Sequence, residues 1–267
     1  MPVVVLSVVS LKGGVGKTSV TLGLASAALA RGVPTLVVDL DPQADVTTGL
    51  DVAARRRSTV PDVLSEPKRA RIAKAIAPSG WAHDQPGVLD VMLGDEASAD
   101  HDHDLRPAAA HHLATALGKV SYDLVLIDCP PSLGGLTRAG LVASDLVLLV
   151  SEPTIYSVAA ADRAVRAVEE LRAGDAPQLR PLGILVNRYR ERSAEHRYRL
   201  EELSGLFGDL VLRPPLPERT AVQQSQGAST PVHRWKGHGG AELAAAFDAH
   251  LDQVLQTGSA RHRSAKA

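Results

Sequence analysis

Short apolar runs alternate along the chain with longer segments in which apolar residues recur every three or four positions. The runs are VVVLSVV (3–9), TLVVDL (35–40), DLVLID (123–128), DLVLLV (145–150), LGILVN (182–187) and DLVL (209–212). Most lack polar alternation, which is typical of strands buried on both faces of a parallel sheet. The segments with helical spacing are 17–30, 133–143, 157–172, 194–206 and 240–255. This alternation predicts an α/β fold with a doubly wound, mostly parallel sheet flanked by helices.

Residues 51–118 fit this alternation least well. They carry three consecutive arginines, scattered prolines and the histidine-rich stretch GDEASADHDHDLRPAAAHH (94–112). We interpret them as a variable, partly helical excursion with a candidate strand at 88–93 and a mobile surface loop near 94–106. The histidines suggest a metal site, but a solvated acidic loop explains them better, because no ligand spacing on a defined element accompanies them.

Composition and charge limit the classes of function that the chain can have, and they agree with the predicted fold class. A length of 267 residues with 45% hydrophobic content suits one large domain, which we expect over 1–256 before a flexible basic tail, 257–267. The net charge of −1 favours neither nucleic acid nor an acidic surface, so any basic face must be local. One cysteine excludes an internal disulfide framework. Without a leader or an 18-residue apolar run, we expect a soluble, cytoplasmic protein.

The stretch SLKGGVGKTS (10–19), here called the phosphate loop, joins the first predicted strand to the first predicted helix. Glycines let a backbone bend around an anion, successive N–H groups then point inward, and a helix N-terminus adds a favourable dipole. Lys17 would neutralise the outer phosphates of a nucleotide, and the Thr18 hydroxyl would ligate Mg²⁺. The alternative is a glycine-rich turn without a ligand. The nucleotide-binding candidates in the loop are Lys12, Gly13, Gly14, Val15, Gly16, Lys17, Thr18 and Ser19.

The phosphate loop departs from the pattern G-x-x-x-x-G-K-[ST], because Leu11 stands where that pattern requires glycine. The order KGGVGKTS resembles instead the deviant Walker A motif of the ParA and MinD group of ATPases. The resemblance implies that the chain binds ATP and Mg²⁺ and hydrolyses ATP slowly. It also implies that Lys12 is catalytic, reaching across an ATP-sandwich homodimer to the phosphates held by the other subunit. An exposed loop lysine is the alternative for Lys12.

Two further stretches carry the carboxylates of this resemblance. VVDLDPQADVTTGL (37–50) resembles the first switch region of ParA proteins. The resemblance implies that Asp41 orients the attacking water and that Asp39 supports the magnesium shell. A turn or a helix cap is the alternative for both aspartates.

DLVLIDCPPSLGGLT (123–137) contains a Walker B pattern, four apolar residues followed by Asp128, whose carboxylate would hold Mg²⁺. Its second half resembles the second ParA switch. Cys129 is interpreted as a small buried residue, because no histidine or other catalytic partner is arranged around it.

Later stretches resemble the group less closely. LGILVNRY ends a predicted strand with Asn187, at a position where members of the group contact adenine. The segment 214–232 resembles their base-covering loop, in which Leu216 and Pro217 would pack near the base. A plain connection between a strand and a helix is the alternative for this segment.

ParA proteins bind DNA without sequence preference as ATP dimers and release it after a ParB-like partner or cargo adaptor prompts hydrolysis. Residues 188–236 hold nine Lys or Arg against six Asp or Glu, so a basic face can form here. Arg192 matches a DNA-contacting position of the family, and Arg219 lies about two positions from a second, where this chain has Ala221. A solvated helix with pairs such as Arg197–Glu201 is the alternative.

The resemblance implies nucleoid association in the ATP state and a cargo that is a chromosome, a plasmid or a protein assembly. We expect the compact form without an N-terminal helix-turn-helix, because the first strand begins at Val3.

A MinD-like ATPase acting at a membrane or pole is the nearest alternative, but the apolar stripe of 240–255 is predicted to pack on the core. A nitrogenase-iron-protein-like reductase would need cluster cysteines from each subunit, and the one cysteine of this chain cannot supply them. A non-enzymatic DNA-binding adaptor is a further alternative, which a measurement of turnover would distinguish from an ATPase.

Overall fold

The computed structural model of the chain describes residues 3–53, 58–83, 85, 87–103 and 110–264. In this part of the chain a seven-stranded sheet carries helices on both faces. The strands are β1 (Val4–Val9), β2 (Thr35–Asp39), β3 (Ile76–Pro78), β4 (Leu89–Met92), β5 (Leu124–Asp128), β6 (Leu146–Ser151) and β7 (Arg180–Val186). The α-helices are α1 (Lys17–Ala30), α2 (Asp45–Gly49), α3 (Val60–Ser65), α4 (Arg69–Ala75), α5 (Ala99–His103), α6 (His112–Leu117), α7 (Gly135–Val142), α8 (Ser157–Ala173), α9 (Ala194–Phe207), α10 (Thr220–Gly227) and α11 (Gly240–Ser264).

The strand order is β3-β4-β2-β5-β1-β6-β7, and every neighbouring pair is parallel except β3 with β4. The predicted doubly wound, mostly parallel α/β fold is confirmed. In the register, Asp128 of β5 lies opposite Val8 of β1 on one side and Asp39 of β2 on the other. The carboxyl ends of these three strands therefore meet at one edge of the sheet, where open α/β sheets place their ligands.

Each predicted strand forms except the last one. The stretch 209–212 is a 3₁₀ turn, Gly208–Leu210, followed by an isolated bridge between Ile184 and Val211. Two prolines, Pro214 and Pro215, come soon afterwards. Since proline has no N–H to donate to a neighbouring strand, a regular ladder cannot continue through this segment.

The excursion over 51–118 carries more regular structure than its sequence pattern predicts. The candidate strand at 88–93 is confirmed as β4, and β3 pairs with it as an antiparallel edge strand. Over 96–103 of the loop predicted near 94–106, a 3₁₀ turn leads into α5, while the mobility of this loop stays a prediction. The Asp95 carboxylate accepts the N–H of Ala97 at 3.0 Å and so caps this turn. Residues 104–106 lie outside the described part of the chain.

The last helix, α11, extends well beyond its predicted end at residue 255. It continues to Ser264, so the segment predicted as a tail over 257–267 is helical as far as that residue, and its flexibility stays a prediction. Residues 265–267 lie outside the described part. A Cβ on Gly258 would overlap the side chain of Val4, which means that this added length of helix lies directly against β1.

Helix α11 crosses α1 at very short range. A Cβ on Gly23 of α1 would overlap the ring of Phe247, so glycine is what allows the two helices to approach so closely. Phe247, Leu243 and Leu251 are all buried, and the predicted packing of this apolar stripe in the core is confirmed. None of the described helices is both long and apolar enough to cross a membrane.

We predict that Gly23→Ala lowers the free energy of unfolding by about 1–3 kcal/mol, because the added methyl group overpacks the contact with Phe247. Chemical denaturation measures this change. The matched control is Gly205→Ala in α9, where nothing lies within 4 Å of an added Cβ. The control should be neutral or stabilising by up to about 1 kcal/mol, since alanine favours helix. Equal stability of the two variants would contradict the close crossing.

Candidate active site

The phosphate loop leaves β1 and enters α1 through two glycines in the left-handed region. Gly14 has φ 80°, and Gly16, the residue before the helix, has φ 84°. No side chain caps the helix, and its first turn contains no acidic residue. A Cβ on Gly13 or Gly14 would meet no atom within 4 Å, so there is space above the loop. The first N–H groups of α1 thus face that space with a favourable helix dipole, which suits a phosphate group.

Asn187, at the end of β7, holds the phosphate loop in place. Its Nδ2 donates to the carbonyl of Val15 at 2.8 Å. A Cβ on Gly16 would overlap that same amide, so the contact requires glycine at this position. A contact of Asn187 with adenine stays a prediction, and its contact with the phosphate loop could not be predicted from local spacing.

Asp128 is fully buried at the end of β5 and is held by two hydroxyl groups of α1. Its Oδ2 accepts from Thr18 Oγ1 at 2.8 Å, and its Oδ1 accepts from Thr21 Oγ1 at 2.8 Å. Burial raises the pKa of the carboxyl group, while the charge of Lys17 and the two hydroxyl groups act in the opposite direction. Thr21 was missed by the sequence analysis, although its spacing of one helical turn from Lys17 places it on the same face of α1.

Lys17 lies between the carboxylates of Asp41 and Asp128. Its Nζ is 3.4 Å from Asp41 Oδ2 and 3.8 Å from Asp128 Oδ2, and all three residues are buried. The other oxygen of Asp41 accepts the N–H of Gln43 at 3.1 Å. Asp41 is therefore directed into the site and away from the sheet, beside the ammonium group predicted to bind phosphate.

Asp39 is fully buried but only half satisfied. Its Oδ2 accepts the N–H of Thr47 at 2.8 Å and the hydroxyl of the same residue at 2.7 Å, whereas its Oδ1 is buried without a hydrogen-bond partner. Burial, and then the charge of Asp128, raise the pKa of Asp39 to about 7. Thr47 in turn accepts the N–H of Gly94 at 2.9 Å, which joins the segment 37–50 to the excursion over 51–118. No sequence signal identified Thr47.

The oxygen atoms at this edge of the sheet fit a magnesium ion. Mg²⁺ takes oxygen ligands, commonly one or two carboxylates with water and substrate phosphates. Thr18, Asp128 and Asp39 supply hydroxyl and carboxylate oxygens, and the unpartnered Oδ1 of Asp39 calls for a cation or a donor. Within the described residues no three His, Cys, Asp or Glu side chains form a protein-only metal site. A magnesium ion here would therefore take further ligands from water and phosphate.

Beside the phosphate loop a cleft of about 480 Å³ opens between Asn187 and helices α10 and α11. Pro217 lines this cleft, and its packing against the base stays a prediction. Leu216 does not line it: the side chain is buried in the core and its N–H donates to Val186 at 2.8 Å. The predicted contact of Leu216 with the base therefore has no support from the lining of this cleft. The apolar wall of the cleft is formed by residues that the sequence analysis missed, Val222, Leu243 and Phe247.

The two arginines predicted to bind DNA line one open groove of about 920 Å³, together with Arg190 and Arg213. Arg192 is exposed and has no hydrogen bond or ion pair to any described residue. Arg219, in contrast, makes a two-pronged ion pair with Glu242, with both distances 2.7 Å. The two side chains are brought together but differ in availability.

The structure does not form the i,i+4 pair considered for α9. Arg197 donates to the carbonyl of Glu191 at 2.7 Å and not to Glu201. Arg199 makes the ion pairs of this helix instead, with Glu195 at 2.7 Å and Glu202 at 2.9 Å.

Known proteins resemble this chain in sequence and in fold. A family model described as an AAA domain matches residues 3–180. The chromosome partitioning protein ParA of Caulobacter vibrioides is 30% identical over 238 residues, 86% of this chain and 86% of that protein. Cobyrinic acid a,c-diamide synthase from Mycobacterium smegmatis with bound ADP and magnesium is 26% identical, with a TM-score of 0.75 over 94% of this chain and 93% of that one. The ATP complex of a Cyanothece McdA variant is 20% identical, with a TM-score of 0.82 over 95% and 96% of the two chains.

The fold and the phosphate loop define a P-loop protein of the α/β class. The AAA-domain model matches more than half of the chain, and the similarity to ParA extends over most of both proteins. The chain therefore belongs to the ParA-type P-loop ATPases.

We predict that Asp39 makes the metal-free protein less stable as the pH rises. The carboxyl group has a pKa of about 7 in the folded protein against an ordinary value of 3.8, so the folded state binds the proton more tightly. The stability from this proton is complete below about pH 4 and is lost as the pH rises through 7. The asparagine in Asp39→Asn cannot ionise. The free energy of unfolding of this variant should therefore rise relative to that of the wild type by roughly 2–4 kcal/mol as the pH increases through this range. Denaturant unfolding of both proteins from pH 4 to 8 measures this difference. If the stability of the wild type and of Asp39→Asn changes with pH in the same way, the raised pKa is contradicted.

Proposed function

We propose that the chain is a Mg²⁺-dependent ATPase that forms an ATP-sandwich dimer, and that this dimer binds DNA without sequence preference. The observation that carries the proposal is the cluster at the end of β5, where Lys17 and Thr18 of the phosphate loop meet Asp128. An ammonium group, a hydroxyl group and a buried carboxylate at the start of an uncapped helix are what a nucleoside triphosphate with Mg²⁺ requires. The ADP and magnesium bound to the similar synthase support ATP and Mg²⁺ as cofactors.

In this proposal the loop N–H groups and Lys17 bind the β- and γ-phosphates. Thr18, Asp128 and Asp39 hold Mg²⁺, which would neutralise phosphate charge when bound. Asp41 accepts a hydrogen bond from water and directs it at the γ-phosphorus, in line with the bond to the leaving ADP. Asp41 suits this task because Lys17, 3.4 Å away, keeps its carboxylate beside the phosphates. Hydrolysis releases ADP and phosphate and thereby ends the dimeric state.

Lys12 is proposed to act on the nucleotide of the other subunit. Its side chain is 49% exposed, while the side chain of Lys17 is only 7% exposed, so the two lysines of the loop face different surroundings. A buried lysine suits the subunit's own phosphates, and an exposed lysine can reach a second copy. A cation supplied across the interface makes dimerisation depend on the triphosphate.

The groove around Arg192 is proposed as the DNA-binding surface. Arginines bind phosphates through charge-assisted hydrogen bonds, and each contact adds a salt-sensitive increment of affinity. A dimer presents the groove twice, which strengthens binding beyond that of one subunit. The name of the Caulobacter relative supports chromosome partitioning as a cargo function, with plasmid or protein cargo as the alternatives and a ParB-like partner as the stimulator of hydrolysis. The buried stripe of α11 gives no support to a membrane-positioning role.

We predict that Lys12→Ala weakens ATP-dependent dimerisation at least about tenfold, the effect of losing one charged contact to phosphate at each half of the interface. Light scattering with ATP and Mg²⁺ measures the dimer. ATP binding by the monomer should persist in this variant, because Lys17 remains. Lys17→Ala is the comparison and should lose both properties. Unchanged dimerisation of Lys12→Ala would refute the role across the interface.

We predict that Arg192→Ala lowers the affinity of the ATP dimer for DNA and reduces its salt dependence by about two units of log–log slope, one phosphate contact per subunit. Titration of labelled duplex DNA at several salt concentrations measures the slope. The matched control is Arg166→Ala on α8, which removes an exposed arginine paired with Asp162. The same loss in both variants would show a general charge effect, and no loss in Arg192→Ala would move the DNA surface elsewhere.

A further inference from the structure

Glu152 pairs with two cations that flank the phosphate loop. The residue directly follows β6, and its side chain is 16% exposed. Its Oε2 lies 3.6 Å from Lys12 Nζ, and its Oε1 accepts a hydrogen bond from Arg188 Nη1 at 2.7 Å. One carboxylate thus joins the exposed lysine of the loop to the arginine that follows Asn187.

The backbone of Glu152 is held in place by two hydrogen bonds. The carbonyl of Glu152 accepts the N–H of Thr154 at 2.8 Å and the hydroxyl of Ser157 at the start of α8. Thr154 lies in the turn between β6 and α8 and Ser157 is the first residue of α8, so these two hydrogen bonds hold the backbone of Glu152 against the start of the helix. Lys12 lies on a glycine-rich loop with a half-exposed side chain, and it is therefore the partner that can leave.

Arg188 lowers the free-energy cost of separating Lys12 from Glu152. Its backbone is in the left-handed region, φ 54°, directly after Asn187, whose amide binds the phosphate loop. When Lys12 moves away, the shorter hydrogen bond from Arg188 still pairs the Glu152 carboxylate. A poorly hydrated carboxylate is therefore never left alone, which is the situation that would oppose release most strongly.

We propose that Glu152 is a positioning residue that retains Lys12 within its own subunit until the triphosphate of a second subunit displaces it. This inference rests on the proposed function, in which Lys12 acts across the dimer. A carboxylate and a phosphate compete for the same ammonium group, and the triphosphate carries the larger charge. The pair with Glu152 opposes dimerisation and so raises the ATP concentration at which dimers form.

Glu152→Gln keeps the shape of the side chain and removes its charge. We expect this variant to dimerise about two- to fivefold more tightly with ATP, the range for a partly exposed ion pair, and the gain should shrink in high salt. Analytical ultracentrifugation measures the dissociation constant. Glu169→Gln, which removes the same charge from a pair with Arg172 on α8, is the matched control and should have no effect. Unchanged or weaker dimerisation of Glu152→Gln would overturn the proposal.

A second measurement needs neither ATP nor a dimer. Amine-reactive labelling of the monomer, followed by mass spectrometry, reports how freely Lys12 reacts relative to the exposed Lys236. Glu152→Gln should raise the labelling of Lys12 about two- to fivefold, while Glu169→Gln should not. A merely structural role for Glu152 would not change Lys12 selectively, so equal labelling overturns the retaining pair. If the wild type fails to dimerise with ATP while the labelling responds, the proposed function fails and the pair with Lys12 stands.

Discussion

The buried carboxylate of Asp128 is the group on which the arrangement of the site depends. A charge without water is stable only if donors and cations surround it, and Asp128 has two hydroxyl donors from α1 and the ammonium of Lys17 within 3.8 Å. These contacts fasten the first turns of α1 to the end of β5. Because α1 begins where the phosphate loop ends, the same contacts fix the loop at the edge of the sheet. Thr18, Thr21 and Lys17 therefore have a structural role, in addition to the contacts with the nucleotide and Mg²⁺ that are proposed for Thr18 and Lys17.

Asp39 and Asp128 lie opposite each other in the register, yet their surroundings differ. Asp128 has partners on both oxygens, whereas Asp39 has partners only on Oδ2, both from Thr47, and its pKa rises to about 7. Of the four carboxylate oxygens of Asp39 and Asp128, the Oδ1 of Asp39 is thus the one that lacks a donor or a cation among the described residues. A cation placed there would bind a carboxylate that the fold itself destabilises, so cation binding and stability should be linked.

Much of the fold follows from local patterns, and the remainder depends on contacts between distant residues. Apolar runs predict the parallel strands because such strands are buried on both faces, and the spacing of glycine and lysine predicts the phosphate loop. The extension of α11 past residue 255 could not be predicted in this way, since it depends on Gly258 meeting Val4 of β1. The same holds for Asn187 and Val15, which are joined across 172 positions. Thr47 likewise joins Asp39 to Gly94, and no spacing rule indicates either contact.

The basic segment 188–236 illustrates why a count of charges is a weak guide to a binding surface. Arg190, Arg199 and Arg219 each pair with a carboxylate of the chain itself, so much of their charge is already balanced. Binding a DNA phosphate through such an arginine requires the internal pair to be exchanged, and the net gain is small. An unpaired arginine such as Arg192 needs no exchange and contributes its full contact. If the groove around Arg192 is the DNA-binding surface, as proposed, one such contact per subunit would give weak binding as a monomer, and a dimer that presents the groove twice would bind more strongly.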